Sequence, residues 1–453
     1  MSHYKPYPAY RDSNVEWIGQ VPEHWSTLRL ANIGHLVKGN GGTKQDDAAN
    51  GLPCVRYGDL YTTYDFLIRE IKKFIRPETA SDYTAIKYGD LLLAASGETF
   101  EEIGKSAVIL DENPAFCGGD VIILRPERKI DPVFLAFAAG SVSAQAQKSL
   151  MGKGFTVIHV YGNELRDLVI SAPPKEEQDL IGAAIERETA RIDALITKKT
   201  RLIELLKEKR HALIDHAVTK GLNPDAPMQD SDVEWLGEIP AHWLVAQLGK
   251  ISIARCDGPF GSGLKSEHYQ PDGVRVVRLQ NIGWASFKDG NEAFISHDHW
   301  QGVLGCGHEV LPNDVLIGGL GDDKNPLGRA CVAPSNLGPA MVKADCYRFR
   351  LNTSRAEPEF IALALSATAR SECGYLATGA TRDRLNLGLA SARVVALPPL
   401  NEQIEIVATL NRDTARIDLL TEKTQRSIDL LKERRAAFIT AAVTGQIDLR
   451  ESA

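Results

Sequence analysis

Two stretches of this sequence, DSNVEWIGQVPEHW at Asp12–Trp25 and DSDVEWLGEIPAHW at Asp230–Trp243, are nearly the same. Nine of their fourteen positions are identical, and the offset between them is 218 residues. Internal similarity of this kind is the signature of an architecture built by repeating one unit. We call these stretches the entry segments. Their presence predicts two domains built on one plan.

A second pair of repeats lies downstream of the first pair. PPKEEQDLIGAAIERETARIDALI begins at Pro173, and PPLNEQIEIVATLNRDTARIDLLT begins at Pro398, an offset of 225 residues. Further on, LLKEKR at 205–210 returns as LLKERR at 430–435. Apolar residues recur in these segments at spacings of three and four, which predicts amphipathic helices. A helix of roughly 43 residues would form a rod of roughly 65 Å.

Two long helices with narrow apolar stripes favour an antiparallel pair that carries one variable block at each end. The alternative is a separate helical hairpin in each domain. The variable blocks, 15–172 and 233–397, contain short β-type runs broken by Gly- and Asn-rich turns. The runs are Asp120–Leu124, Arg275–Leu279 and Cys346–Leu351, and short helices are predicted at Asp131–Ala146 and Pro358–Cys373.

The predicted fold class is therefore α+β. It has two globular α/β domains, separated by two long helices that form an antiparallel coiled coil, with a pseudo-two-fold internal repeat. The expected boundaries are a first domain at 1–172, a first helix at 173–222, a second domain at 223–397, and a second helix with its tail at 398–453.

Composition sets limits on the class of protein. The 453 residues are 43% apolar and 25% charged, and no apolar run approaches the roughly 18 residues of a membrane span. The N-terminus lacks a signal peptide, so a cytoplasmic location is expected. A net charge of −7 argues against coating nucleic acid by bulk charge, although local basic surfaces remain open. Seven cysteines without a CxxC pair fit reduced thiols.

Motifs for catalysis are incomplete in this sequence. The nearest match to the base-gripping (N/D)PP(Y/F) tetrapeptide, at 131–134, lacks the second proline. In the Gly-rich loop at 258–266, Leu264 separates the glycine from the lysine of a phosphate-binding pattern, so a loop near a DNA backbone or an ordinary turn is favoured. His297, His299, Cys306 and His308 have metal-like spacing, but a polar loop is the better interpretation. We expect no catalytic centre, cofactor or metal.

The duplicated motifs, in this order, resemble the specificity subunits of type I restriction–modification systems over nearly the whole chain. The resemblance is carried by VEWxGxxPxHW in both entry segments, by PPxxEQ followed by TARID, and by the loop DGPFGSGLK at Asp257–Lys265. It implies a non-catalytic protein in which each variable block reads one half of an asymmetric, interrupted site in double-stranded DNA. The helices would set the spacing and dock two methyltransferase subunits, and restriction subunits would complete the nuclease.

Two other classes of protein remain open at this point. One is a self-contained restriction and methylation enzyme, and the other is a coiled-coil scaffold without DNA specificity. The tryptophans and histidines of the entry segments, Trp17, Trp25, Trp235, Trp243, His24 and His242, are interpreted as structural because both copies carry them.

DNA reading requires polar and basic side chains on loops of the variable blocks. In the first block the candidates are Lys38, Asn40, Thr43, Lys44, Arg56, Lys105, Lys153 and Thr156. In the second they are Ser262, Lys265, Arg278, Gln280, Asn281, Lys324, Arg329, Thr381, Arg382 and Arg384. The loops at 152–156 and 378–384 are favoured, and Arg382→Ala is expected to weaken recognition of one half-site only.

Overall fold

The structure, a computed structural model, describes residues 4–260, 263–304, 307–322, 324–376 and 384–450, with the backbone alone at 44 and 373–376. The chain divides into two compact units. Unit 1 contains the residues up to Thr200 together with those from Gln425 onward, and unit 2 contains Arg201–Thr424. In the described part of the chain, no helix is both long and apolar enough to cross a membrane.

Unit 1 contains sixteen short strands among its described residues. They are β1 Tyr10–Asp12, β2 Gln20–Pro22, β3 Ser26–Arg29, β4 Gly34–Lys38, β5 Asp47–Ala48, β6 Leu52–Val55, β7 Phe66–Ile68, β8 Phe74–Ile75, β9 Thr84–Ile86, β10 Leu91–Ala94, β11 Ser96–Gly97, β12 Ser106–Ile109, β13 Ala115–Cys117, β14 Val121–Pro126, β15 Ile158–His159 and β16 Val169–Ala172. Its helices are α1 Leu30–Ile33, α2 Tyr57–Thr62, α3 Pro132–Ala139, α4 Val142–Met151, α5 Gly162–Leu165 and the first part of α6 Lys175–Lys220.

Two five-stranded sheets form the body of unit 1, in the orders β4-β14-β10-β12-β7 and β5-β8-β6-β13-β9. The alternation of side chains along β10 explains how they pack. Leu91 and Leu93 join the core beneath α3 and the start of α6. Leu92 and Ala94 join a second core with residues of β6 and β13. The first sheet is thus covered by helices on one face and by the second sheet on the other.

Unit 2 repeats this plan. Its strands are β17 Met228–Asp230, β18 Glu238–Pro240, β19 Leu244–Gln247, β20 Ser252–Cys256, β21 Tyr269–Gln270, β22 Val274–Val277, β23 Phe294–Ile295, β24 Glu309–Val310, β25 Val315–Gly318, β26 Ala330–Val332, β27 Ala340–Val342, β28 Cys346–Leu351 and β29 Val394–Leu397. Its helices are α7 Leu248–Ile251, α8 His297–His299, α9 Pro358–Leu376, α10 Leu387–Ala392 and the first part of α11 Leu400–Val443.

The sheets of unit 2 have the orders β20-β28-β25-β26 and β21-β23-β22-β27-β24. Each strand has a counterpart in unit 1, and the one parallel pairing of the second sheet also returns, as β6 with β13 and as β22 with β27. The duplication seen in the sequence is therefore a duplication of sheet topology. It extends through the blocks where the sequences diverge.

The long helices pair in antiparallel fashion within each unit. In unit 1, Asp193 of the first TARID accepts from Arg435 at the end of LLKERR, with 3.0 Å between Nε and Oδ1. In unit 2, Asp418 of the second TARID accepts from Arg210 at the end of LLKEKR, at 3.1 Å. In each unit, the TARID motif of one helix supplies the aspartate of an ion pair, and the LLKE(K/R)R motif of the other helix supplies the arginine. This shared pairing explains why both motifs occur twice.

The structure confirms the predicted fold class and refines the limits of its elements. The helix predicted at 131–146 is two helices, α3 and α4, because Ser141 caps α4 by accepting from the amide of Ala144. The strand predicted to reach Leu279 ends at Val277, and a 3₁₀ turn follows at Leu279–Asn281. The expected domain boundaries at 172, 222 and 397 stay a prediction.

Candidate nucleic-acid interface

In each unit, the His-Trp pair of the entry segment forms hydrogen bonds with a glutamate at the start of the long helix. We call this set of contacts the clamp. In unit 1, the indole Nε1 of Trp25 donates to Oε2 of Glu177 at 2.8 Å. His24 Nε2 lies 2.7 Å from the other oxygen of the same carboxylate, and the Tyr7 hydroxyl donates to Oε2 at 3.3 Å. Trp25 is buried, so the entry segment is fixed to the first turn of α6.

The same clamp exists in unit 2. Trp243 Nε1 donates to Oε1 of Glu402 at 3.1 Å, and His242 Nε2 lies 2.8 Å from Oε2. Glu402 stands in the first turn of α11, as Glu177 does in α6. The HW pair of each entry segment and the glutamate of each PPxxEQ motif are therefore one structural device.

The glutamine that follows this glutamate fixes a second element. Gln178 accepts from the backbone amide of Asp131 at 2.9 Å, just before α3. Gln403 accepts from the amide of Glu357 at 2.8 Å, just before α9. The EQ dipeptide thus joins the entry segment and the variable block to one helix terminus in each unit.

On unit 1, polar side chains line a cavity of about 270 Å³. Lys38, at the end of β4, lies on its wall together with Ser96, Asp120, His159 and Tyr161. The Ser96 hydroxyl is 2.9 Å from Nδ1 of His159, and the His159 ring lies over Tyr161 with a centroid distance of 6.4 Å. These residues form the first part of a surface that we call reading surface 1. Its second part is a neighbouring cavity.

A second cavity of about 400 Å³ shares Asp120 with the first. Its lining includes Arg56, Tyr57 and Lys73, with glycines on the loops at 41–42 and 118–119. Nη2 of Arg56 lies 2.6 Å from Oδ1 of Asp47, which orients the guanidinium. The lining also includes the carboxylates of Asp47, Asp59 and Asp120, so the cavity offers both donors and acceptors to base edges.

A hairpin stands beside the first cavity. Lys153 and His159 exchange both backbone hydrogen bonds, at 2.8 and 2.7 Å, and Phe155 at its tip is fully exposed. Gly154 has a φ of +131°, and a side chain there would meet the carbonyl of Val157. Glu164 accepts from Lys153 at 2.5 Å, and this hydrogen bond raises the pKa of the ammonium.

Reading surface 2, on unit 2, is built around Arg384. Its Nε and Nη2 lie 2.9 and 2.7 Å from Oδ1 of Asp345, and its guanidinium lies 5.6 Å from the ring centre of Phe260. The backbone amide of Asp345 donates to Asp257 at 3.1 Å. The hydrogen bond to Asp345 raises the pKa of Arg384, which keeps the side chain charged.

Arg384 and His159 occupy the same position in the two units. His159 pairs with Ser96, and the next amide, Val160, donates to the carbonyl of Ala95 at 2.9 Å. Arg384 forms a bridge with Leu320, and the next amide, that of Leu385, donates to the carbonyl of Gly319 at 3.0 Å. One backbone geometry thus carries a histidine in one unit and an arginine in the other.

Comparisons with known proteins point to the same family from independent directions. Residues 22–205 match the family described as the type I restriction modification DNA specificity domain. The MjaVIII specificity subunit of Methanocaldococcus jannaschii is 23% identical over 97% of both chains. The StySPI specificity subunit of Salmonella potsdam is 22% identical over 95% of this chain and 90% of its own.

The fold also agrees with a solved structure from work on complex assembly and conformational transition of the type I R-M system. The TM-score is 0.71 at 18% identity, over 94% of this chain and 99% of that one. The chain is similar, along almost its full length, to type I restriction enzyme specificity subunits. The family model covers residues 22–205, and the similarity to the two relatives extends over 95–97% of the chain.

Most of the predicted contact residues whose side chains the structure describes lie at the surface of the protein. Exposed side chains are those of Lys38, Asn40, Thr43, Lys153, Thr156, Lys265, Gln280, Lys324 and Arg384. Half-buried side chains are those of Arg56, Lys105 and Arg278. Ser262, Thr381 and Arg382 lie outside the described residues, and so does the side chain of Lys44. Lys38, Arg56 and Lys153 belong to reading surface 1 or its hairpin, and their role in DNA contact stays a prediction.

Two of the candidates are placed inside the protein and have structural roles. Arg329 is only 4% exposed, and its guanidinium donates to the carbonyls of Ile282 and Leu279 at 2.7 and 2.9 Å. Asn281 is 1% exposed and accepts from the amide of Arg278 at 3.0 Å. Both side chains hold loop backbone, so neither is at a surface that DNA could reach.

The entry-segment tryptophans divide into two kinds. Trp25 and Trp243 are buried, as expected for structural residues, and Trp235 packs at the edge of the unit 2 core. Trp17 is 41% exposed, and its structural role stays a prediction.

Two of the histidines with metal-like spacing lie within hydrogen-bond distance of backbone carbonyls, and Cys306 lies outside the described residues. His299 Nε2 lies 3.0 Å from the carbonyl of Gly263, and His308 Nδ1 lies 2.6 Å from that of Asp257. These contacts fix the backbone at Gly263 and at Asp257.

Sequence reasoning missed several residues of the two reading surfaces. Tyr57, Lys73, His159 and Tyr161 line the cavities of unit 1, and Asp345 fixes Arg384 in unit 2. The sequence does contain a signal for the equivalence of His159 and Arg384. The two residues are separated by 225 positions, which is also the offset between the two PPxxEQ motifs. The divergence of the blocks hid it.

Proposed function

We propose that this chain is a specificity subunit of a type I restriction–modification system, a non-catalytic reader of a two-part DNA site in which each unit recognises one half. The observation that carries the proposal is the pair of reading surfaces. They share strand order and backbone geometry, yet present different polar side chains at equivalent positions. Equal frames position two readers in the same way, and different side chains give them different base preferences.

The paired helices would fix the gap between the half-sites, because a helix has a constant rise per residue. They also carry exposed leucines at equivalent positions. Leu195 and Leu420 are 41% and 46% exposed, and Leu205 and Leu430 are 45% and 57% exposed. Two equivalent apolar patches of this kind fit two copies of one partner, and we assign them to the two methyltransferase subunits.

The test of this function is methylation mapping in cells that contain the chain and its modification partner. We expect one bipartite motif with a fixed gap, and with different sequences in its halves. Methylation by the purified chain alone would support a self-contained enzyme. Partner binding without sequence-specific methylation would support a scaffold. Either outcome would overturn the proposal.

The docking surfaces have a separate test in the mass of the assembled complex. Leu195→Asp and Leu420→Asp should each remove one methyltransferase subunit, and the double variant should remove both. Thr197→Asp, at an exposed neighbouring position, is the matched control and should leave the complex whole. If both leucine variants assemble completely, these patches are not the docking sites.

A further inference from the structure

The side chain of Arg384 is held in place by its neighbours while remaining accessible. It is 46% exposed, whereas the carboxylate that binds it, Asp345, is 17% exposed. Phe260 lies against the guanidinium plane. An arginine fixed by a carboxylate and an aromatic ring loses less side-chain entropy when it binds a ligand.

The carboxylate is itself fixed in position. Asp345 has a φ of +63°, in the left-handed region, and its amide donates to Oδ1 of Asp257. The same oxygen of Asp257 accepts from the amide of Gly258 at 2.7 Å. Gly258 packs so closely on the end of β27 that a side chain there would meet the carbonyl of Val342. The orientation of Arg384 therefore derives from the backbone of reading surface 2.

His159 is held at the equivalent position by a different set of contacts. Its Nδ1 is bonded to the hydroxyl of Ser96, and its ring lies on Tyr161. Leu320 of unit 2 occupies the position of Ser96 in unit 1. The two units therefore differ both in the side chain at position 159/384 and in the residue paired with it. An imidazole ring and a guanidinium fork select different base edges.

We propose that position 159/384 is a base-reading position in both units, with Arg384 recognising a guanine in the half-site of unit 2. Guanine presents O6 and N7 in the major groove, and the guanidinium fork matches this pair of acceptors. His159 then reads one base pair in the other half-site. This inference rests on the proposed function and deepens it by naming the residue and the base.

The experiment is methylation mapping with the full complex carrying Arg384→Ala, Arg384→Lys or His159→Ala. The two Arg384 variants should relax one G·C pair of one half-site, with roughly tenfold or greater loss of preference at that pair. The other half and the gap should be unchanged. His159→Ala should relax a single pair in the opposite half. Arg355→Ala, at an exposed arginine before α9, is the matched control and should leave the motif intact.

The outcomes separate this inference from the proposed function. If the wild-type complex has no bipartite motif, the proposed function itself fails. If the motif is bipartite but both Arg384 variants leave it unchanged, only the inference fails. It also fails if the half-site contains no G·C pair. Loss of all methylation in both Arg384 variants, with a lower unfolding temperature, would show that Arg384 is structural and would equally overturn it.

Discussion

Arg393 and Glu372 form an ion pair inside unit 2, with side chains only 0% and 2% exposed. Nε lies 2.7 Å from Oε2, and Arg393 also donates to the carbonyl of Leu365 at 2.7 Å. Glu372→Gln would leave the buried guanidinium without a compensating charge. We expect the free energy of unfolding of unit 2 to fall by about 3–5 kcal/mol. Urea unfolding measures this loss, and Glu405→Gln on the exposed side of α11 should change it little.

At the equivalent place, unit 1 has two uncharged side chains in place of the ion pair. This difference leads to a second prediction. Gln147 and Leu168 stand where Glu372 and Arg393 stand, and Gln147 accepts from the amide of Val169 at 3.0 Å. The double variant Glu372→Gln, Arg393→Leu recreates that neutral pair. It should be more stable in urea than Glu372→Gln alone, because the uncompensated charge is gone. Strictly additive losses would contradict this expectation.

Lys148 makes the free energy of unfolding of unit 1 depend on pH, and the direction of this dependence follows from its pKa. Burial lowers the pKa of this lysine to about 7, and its ammonium donates to the carbonyl of Gly104 at 2.8 Å. Between about pH 7 and the ordinary pKa of 10.5, the unfolded chain binds the proton and the folded chain does not. The free energy of unfolding therefore rises with pH in this window, by at most about 1.4 kcal/mol per pH unit.

Substitution of Lys148 by methionine tests this, since methionine keeps the length of the side chain and removes the titration. The stability of the wild type relative to Lys148→Met should increase from pH 7 to pH 10 in denaturant unfolding. Other titrating groups cancel in the difference. A difference that is constant with pH would contradict the assignment.

At the scale of elements, Arg435 joins α11 to two other parts of unit 1. It contacts Asp193 of α6 and, at 2.9 Å, Asp65, and its guanidinium lies 5.3 Å from the ring centre of Phe66. Arg435→Ala should destabilise unit 1 by about 1–2 kcal/mol, since the carboxylates are half exposed and screened by solvent. The adjacent, exposed Arg434→Ala is the control for thermal unfolding. Equal effects of the two substitutions would exclude a specific role for Arg435.

The long helices could be predicted because periodicity and repetition report local geometry directly. The TARID and LLKE(K/R)R motifs were recognised as repeats, but the ion pair that explains them joins residues more than two hundred positions apart. A single sequence contains no signal for that pairing. The parallel pairing of β6 with β13 was hidden for the same reason.

The reading surfaces were predicted least well, again for a physical reason. Polarity and neighbouring glycines identify loop residues, but they do not tell whether an arginine donates to solvent-exposed groups or to backbone carbonyls. Arg384 and Arg329 look alike in the sequence, yet one is exposed and the other is buried among carbonyl oxygens. Burial depends on the packing of distant strands, which short motifs do not specify.

At the scale of the whole molecule, the proposal that the helices set the gap has a direct test. Seven residues inserted into both helices, after Thr200 and after Thr424, would lengthen each by about 10 Å while preserving the spacing of apolar residues. At about 3.4 Å per base pair, the gap in the methylated motif should grow by about three base pairs. Both halves of the motif should be unchanged. A gap of constant length would contradict the proposal, and an insertion in one helix alone should abolish assembly.

The clamp of histidine and tryptophan on Glu177 and Glu402 also bears on how such a protein can change over generations. The histidine, tryptophan and glutamate of each clamp belong to the repeated segments that border the variable blocks. A block exchanged by recombination between the tryptophan and the proline pair would arrive with its anchorage already provided. Such a block would still have to match the contacts that α11 makes beyond the clamp, such as those of Arg435 with Asp65 and Phe66.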